Sequence, residues 1–106
     1  MHLTASSFLR ERFARSDRMV GRRIADEYVL VPIVGHGAQL DGIFSLNRVA
    51  TFIWERLDGQ TSGEAIVEAL VRDFDVAPPR ADSDYQEFVK KLLGIHAITP
   101  QGQTAS

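Results

Sequence analysis

The side chains best suited to metal or proton chemistry are three histidines, His2, His36 and His96, and their spacing builds nothing. None belongs to an HExxH-like arrangement, in which two ligands four apart share one helix face. Asp82-Ser83-Asp84 has the look of a cation loop, but no glycine and no bidentate glutamate follows at the spacing calcium needs. As the acidic first turn of a helix the same run is favourable, because carboxylates there offset the positive end of the macrodipole. Gly35-His36-Gly37 lacks the GxxxxGK[ST] spacing, and a strand pattern follows it rather than a helix whose N-terminus could hold phosphate. There is no GxSxG motif for acyl transfer. With no cysteine, thiolate nucleophiles, thiolate metal sites and disulfides are excluded. No catalytic, metal or cofactor set emerges, so the expectation is a protein that is not an enzyme and carries no cofactor.

The elements that would position any site must fit in 106 residues, 44% of them apolar, which supports one small domain with a modest core. No apolar run approaches the roughly 20 residues of a membrane span. The N-terminus has no apolar signal core, since Phe8-Leu9 is followed at once by Arg10-Glu11-Arg12. The expected location is the cytoplasm, with no membrane partner. Net charge is −2, yet residues 1–23 hold six arginines against Glu11 and Asp17. Residues 1–18 are therefore expected to be a partly flexible basic segment, residues 19–98 the folded domain and residues 99–106 a polar tail.

Met19–Ala25 and Tyr28–Ile33 read as two strands joined at the polar pair Asp26-Glu27. A glycine-bearing connection leads to a short third strand, Ile43–Leu46, whose period of two puts Phe44 and Leu46 on one face. The period then changes to 3.6. Asn47 caps a first helix with Val49, Phe52, Ile53 and Leu57 inside, ending at Asp58-Gly59. Thr61 and Glu64 have capping-box spacing and open a second, with Ile66, Val67, Leu70, Val71 and Phe74 inside. Pro78-Pro79 breaks the chain, and a third helix opens near Asp82 with Tyr85, Phe88, Val89 and Leu92 as its stripe. The fold class is α+β and winged-helix-like: a three-stranded antiparallel sheet followed by a three-helix bundle. One alternative is a winged-helix DNA-binding regulator. Its candidate recognition helices would turn Glu64, Glu68 and Asp73, or Asp82, Asp84 and Glu87, toward phosphates, so nucleic acid is not expected as a partner. Another alternative is a structural subunit of an enzyme complex.

The block from Leu46 to Gly59, with Leu46-Asn47, Ile53-Trp54 and Leu57-Asp58-Gly59, resembles the LNxTAxxIWxLLDG signature of the PqqD-like family, the RiPP recognition elements. Thr61, Glu64 and Ile66 are similar to the family's second-helix start, and Asp84-Tyr85-Gln86-Glu87-Phe88-Val89 to its third helix. Upstream, Gly21-Arg22-Arg23 and Glu27–Pro32 fit the hairpin of one subgroup. The resemblance implies a non-enzymatic adaptor that binds the leader segment of a ribosomally synthesised precursor peptide. The leader adds as an extra strand and is presented to a modifying enzyme, often a radical-SAM protein, as in PQQ biosynthesis. Carried over, it places peptide contacts on Gly42, Ile43, Phe44, Ser45 and Leu46. On the third helix it places them on Asp84, Tyr85 and Phe88, and on Val89, Lys91 and Leu92. The sequence departs from the family at Val49, where threonine is common, and at Ala77, where a capping side chain is usual. Arg80 stands in a first turn that favours acids, and His96 where the family has glycine. Monomer and homodimer both stay open.

Overall fold

A computed structural model describes residues 5–33 and 44–101. The elements run α1 (Ala5–Arg10), β1 (Arg12–Arg15), β2 (Met19–Ile24), β3 (Glu27–Pro32), β4 (Phe44–Leu46), α2 (Arg48–Glu55), β5 (Asp58–Ser62), α3 (Gly63–Phe74), α4 (Pro78–Gly94) and β6 (Ile98–Pro100). The fold is α+β, with antiparallel three-stranded sheets packed against helices.

The expected sheet is present in the order β2-β3-β4. Its hairpin pairs Met19 with Pro32 through Ile24 with Glu27, so the turn falls on Ala25-Asp26, one residue earlier than the polar pair suggested. Ala25 sits there at φ 57°, a left-handed conformation that a tight hairpin demands and a side chain resists. Across β2 and β3, the Ile33 N–H donates to the Arg18 carbonyl at 2.9 Å. Bonded and open pairs alternate along an antiparallel ladder, so Val31 and Val29 bond to β2 while Leu30 and Tyr28 turn their amides toward β4. The same alternation aims the proline nitrogen of Pro32 away from β2, where no ladder bond is lost.

The N-terminal segment is built into the fold. Arg12–Arg15 is the central strand of a second sheet, ordered β5-β1-β6, and Phe13 is only 1% exposed. Four residues with one large apolar side chain carry too little period-two signal to be read from sequence. The strand is held by partners some 45 and 85 positions further along, through pairs such as Arg12 with Ser62 and Phe13 with Pro100. Nor do all its arginines float in solvent. Arg15 donates to the Trp54 and Glu55 carbonyls (2.9 and 3.0 Å), placing a cation at the negative end of α2. Arg12 Nε donates to the Gln60 carbonyl at 3.0 Å. Of the polar tail, Thr99 and Pro100 belong to β6.

Three local expectations shift. Asp58-Gly59 is the start of β5 rather than only a turn, with Gly59 at φ 83°. The cap of α3 is Ser62, whose hydroxyl accepts the Ala65 N–H at 3.2 Å; Thr61 instead donates to the Asp58 carboxylate. The last helix begins at Pro78, not near Asp82, because both prolines occupy its first turn, where a missing N–H leaves nothing unpaired. Ala77 offers no side-chain cap, but its carbonyl accepts the Arg80 and Ala81 N–H groups at 3.0 Å each.

The core joins both sheets to the helices through Phe13, Leu30, Ile53, Leu57, Ile66 and Leu70. Gly63 sits where α1 crosses the start of α3. A methyl there would lie 2.7 Å from the Phe8 carbonyl oxygen and 2.9 Å from the Tyr85 ring.

Candidate binding groove

β4 is the outer strand of its sheet, and among the described residues nothing pairs with its far side. Phe44 and Leu46 face Leu30 and Tyr28 across the ladder, so they spend their amides on β3. Ser45 lies between them and turns its N–H and C=O outward. An added strand would find that one amide pair ready, with the sheet's hydrogen-bonding direction already set.

Alongside this edge, β4 and α4 enclose an open groove of about 710 Å³. Leu30, Ile53 and Leu92 form its floor, with Phe44, Leu46 and Phe88 at the sides. The rim on α4 carries Arg80, Asp84, Glu87 and Lys91. Arg80 and Asp84 pair at 3.4 Å, one helical turn apart. Asn47 closes the strand end of the groove as the cap of α2, its side chain accepting the Ala50 N–H at 2.8 Å. That bond fixes how the chain leaves β4 and enters the helix.

Seven of the residues expected from sequence meet here: Phe44, Ser45 and Leu46 from the strand, and Asp84, Phe88, Lys91 and Leu92 from the helix. Tyr85 and Val89 do not. Both are 0% exposed on the face of α4 that packs into the core with Ala81, roughly a third of a turn round from the groove face. Gly42 and Ile43 lie outside the described residues. The sequence reading missed Leu30, Ile53, Arg80, Glu87 and Ile95 as lining residues. The helical period running 80, 84, 87, 91, 95 could have found three of them. Leu30 needed the β3–β4 register, which no local pattern supplies.

Two titratable groups are displaced from their ordinary behaviour. Tyr85 is raised, first because burial disfavours the phenolate and then because Glu11 adds negative charge nearby. Among the described residues its hydroxyl has no hydrogen-bond partner. Asp58 is lowered, chiefly by the Gln60 N–H that its carboxylate accepts, with the Thr61 N–H and hydroxyl helping. Neither belongs to the groove. Among the described residues, no group of three or more His, Asp or Glu side chains is placed to hold a metal, and no helix is long and apolar enough to cross a membrane.

An α+β domain with an open strand edge beside a helix-walled trough is a recognisable class of small binding domain. The model of one family, described as Coenzyme PQQ synthesis protein D (PqqD), matches residues 27–98, and this chain belongs to that family. A solved structure, TbiB1 in complex with the TbiA(beta) leader peptide, is similar to it with 27% sequence identity and a TM-score of 0.65. The match covers 87% of this chain and 99% of that one. No curated protein matches the chain.

Proposed function

We propose that this chain is a RiPP recognition element: it binds the leader segment of a ribosomally made precursor peptide by strand addition to β4 and presents it to a modifying enzyme. The observation that carries the reading is the uncovered β4 edge lying beside a groove with an apolar floor. The similar TbiB1 structure, which holds a leader peptide, supports it. Backbone bonds to an edge supply affinity with little regard to sequence, and pockets under alternate side chains supply selectivity. The domain acts without chemistry of its own, and the partner that acts on the leader is a separate enzyme, for which a radical-SAM protein is the first choice.

The two backbone bonds open to the Ser45 N–H and C=O, at about 1 kcal/mol each, with two buried leader side chains at roughly 2 kcal/mol each, total roughly 6 kcal/mol. That corresponds to a dissociation constant of some tens of micromolar before ordering costs subtract. A DNA-binding role would draw on the basic N-terminal segment, but Arg12 and Arg15 of that segment are already bonded to the Gln60 and Trp54 carbonyls. The test is an NMR titration with candidate leader peptides. Saturable shifts of the Ser45 and Phe88 amides are expected; shifts confined to β1 and β2, or duplex DNA binding that falls steeply with salt, would overturn the reading.

A further inference from the structure

The rim of the groove carries a charge order that nothing in the apolar floor requires. Along the outer side of α4 stand Arg80, Asp84, Glu87 and Lys91, positive, negative, negative, positive. Arg80 and Asp84 answer each other at 3.4 Å. Glu87 and Lys91 form no ion pair among the described residues although they are one helical turn apart, and both are exposed at the groove. A solvent-exposed pair within a helix is weak, so each remains available to a group arriving in the groove.

Two repeat distances coincide here. Residues four apart on a helix are separated by about 6 Å along its axis. Residues two apart on a strand, which share one face, are separated by about 6.7 Å. The groove is lined by β4 on one side and by α4 residues from Arg80 to Ile95 on the other, so a strand added to β4 lies between that edge and the helix. A strand paired at Ser45 sends the two neighbours of the paired residue over the face occupied by Phe44 and Leu46, toward α4.

We infer that this groove selects leader strands carrying opposite charges two residues apart on the helix-facing side, the basic one over Glu87 and the acidic one over Lys91. The inference rests on the strand-addition reading and deepens it by naming the sequence class the site prefers. Such a pair fixes register, because a slip of one residue turns both charges to the opposite face. Antiparallel pairing to β4 is the stronger ladder, and in that direction only one order of the two charges avoids setting like charges against Glu87 and Lys91. Exposed pairs change affinity only modestly, so the device governs which peptide lies in the groove and which way it points more than how tightly it is held.

The test compares three synthetic nine-residue peptides by calorimetry at low ionic strength. They share leucines at the other helix-facing positions and differ at the central pair, which reads Lys-x-Glu, Glu-x-Lys or Gln-x-Gln. One charged order is expected to bind about fivefold more tightly than the other, the scale of two exposed ion pairs, with the Gln peptide between them. A protein carrying both Glu87→Lys and Lys91→Glu is expected to reverse the order of the two charged peptides, and about 1 M salt to erase it. Saturable, equal binding of all three peptides would overturn the charge selection and leave strand addition standing, as would a preference that the exchanged protein fails to reverse. Absence of binding by all three, with no shift of the Ser45 amide, would overturn both.

Discussion

Tyr85 shows how much one atom can matter in a small core. Its ring is packed against Gly63 and the chain of α1, while its hydroxyl is buried without a partner among the described residues. Leaving a buried hydroxyl unpaired costs roughly 1–3 kcal/mol. Tyr85→Phe is therefore expected to stabilise the protein by about 1 kcal/mol, read as a higher denaturant midpoint with an unchanged slope. The same residue predicts a pH dependence. Its pKa is raised in the fold above the ordinary 10.0, so the folded state holds the proton more tightly than the unfolded chain. Stability is then complete below about pH 10 and falls as pH rises beyond it. Alkaline melting curves should show a steeper loss for the natural protein than for Tyr85→Phe. Ala25 offers a second test. A left-handed alanine costs roughly 1–2 kcal/mol, and glycine returns part of that through the unfolded chain. Ala25→Gly should raise stability by about 0.5 kcal/mol, whereas Gly63→Ala should lower it sharply because backbone must move.

At the scale of elements, the β4 edge makes a prediction that separates binding from folding. Proline at Ser45 removes an N–H that points outward, so thermal melting should be preserved and leader binding lost. Proline at Phe44 or Leu46 removes a bond to β3 and should lower the melting temperature. Equal effects at the three positions would contradict the alternation. Phe88→Ala, at the groove wall and half-buried, should weaken leader binding by more than about 1 kcal/mol with a smaller loss of stability. Much of this was readable in advance. The period of two placed Phe44 and Leu46 together, and the change to 3.6 at Asn47 marked the strand-to-helix switch. What was not readable was which side of the third helix would be core. Tyr85, Phe88, Val89 and Leu92 are all apolar, and only the positions of α3 and α1 decide that Tyr85 and Val89 go inward while Phe88 opens to the groove. The start of that helix was also hidden, because proline breaks a helix interior but suits a first turn, and sequence alone does not say which applies.

For the whole molecule, the strand that local pattern concealed has the largest effect. β1 lies between β5 and β6, and its Phe13 belongs to the core. Deleting residues 1–18 should therefore unfold the domain rather than trim it, with loss of the far-ultraviolet signal as the check. Arginine-rich composition suggested a solvated arm because the contacts that order it, to Leu57, Gln60 and Ala97, are contributed by distant parts of the chain. Such non-local pairing is what a single sequence hides best.

The Gln101 N–H donates to the Arg12 carbonyl at 2.7 Å, which holds the C-terminal end of the described residues beside β1. No residue of β1, β5 or β6 lines the groove. A larger enzyme joined to this domain after Gln101 would attach beside β1, on the sheet that does not line the groove, and would leave the leader trough unobstructed.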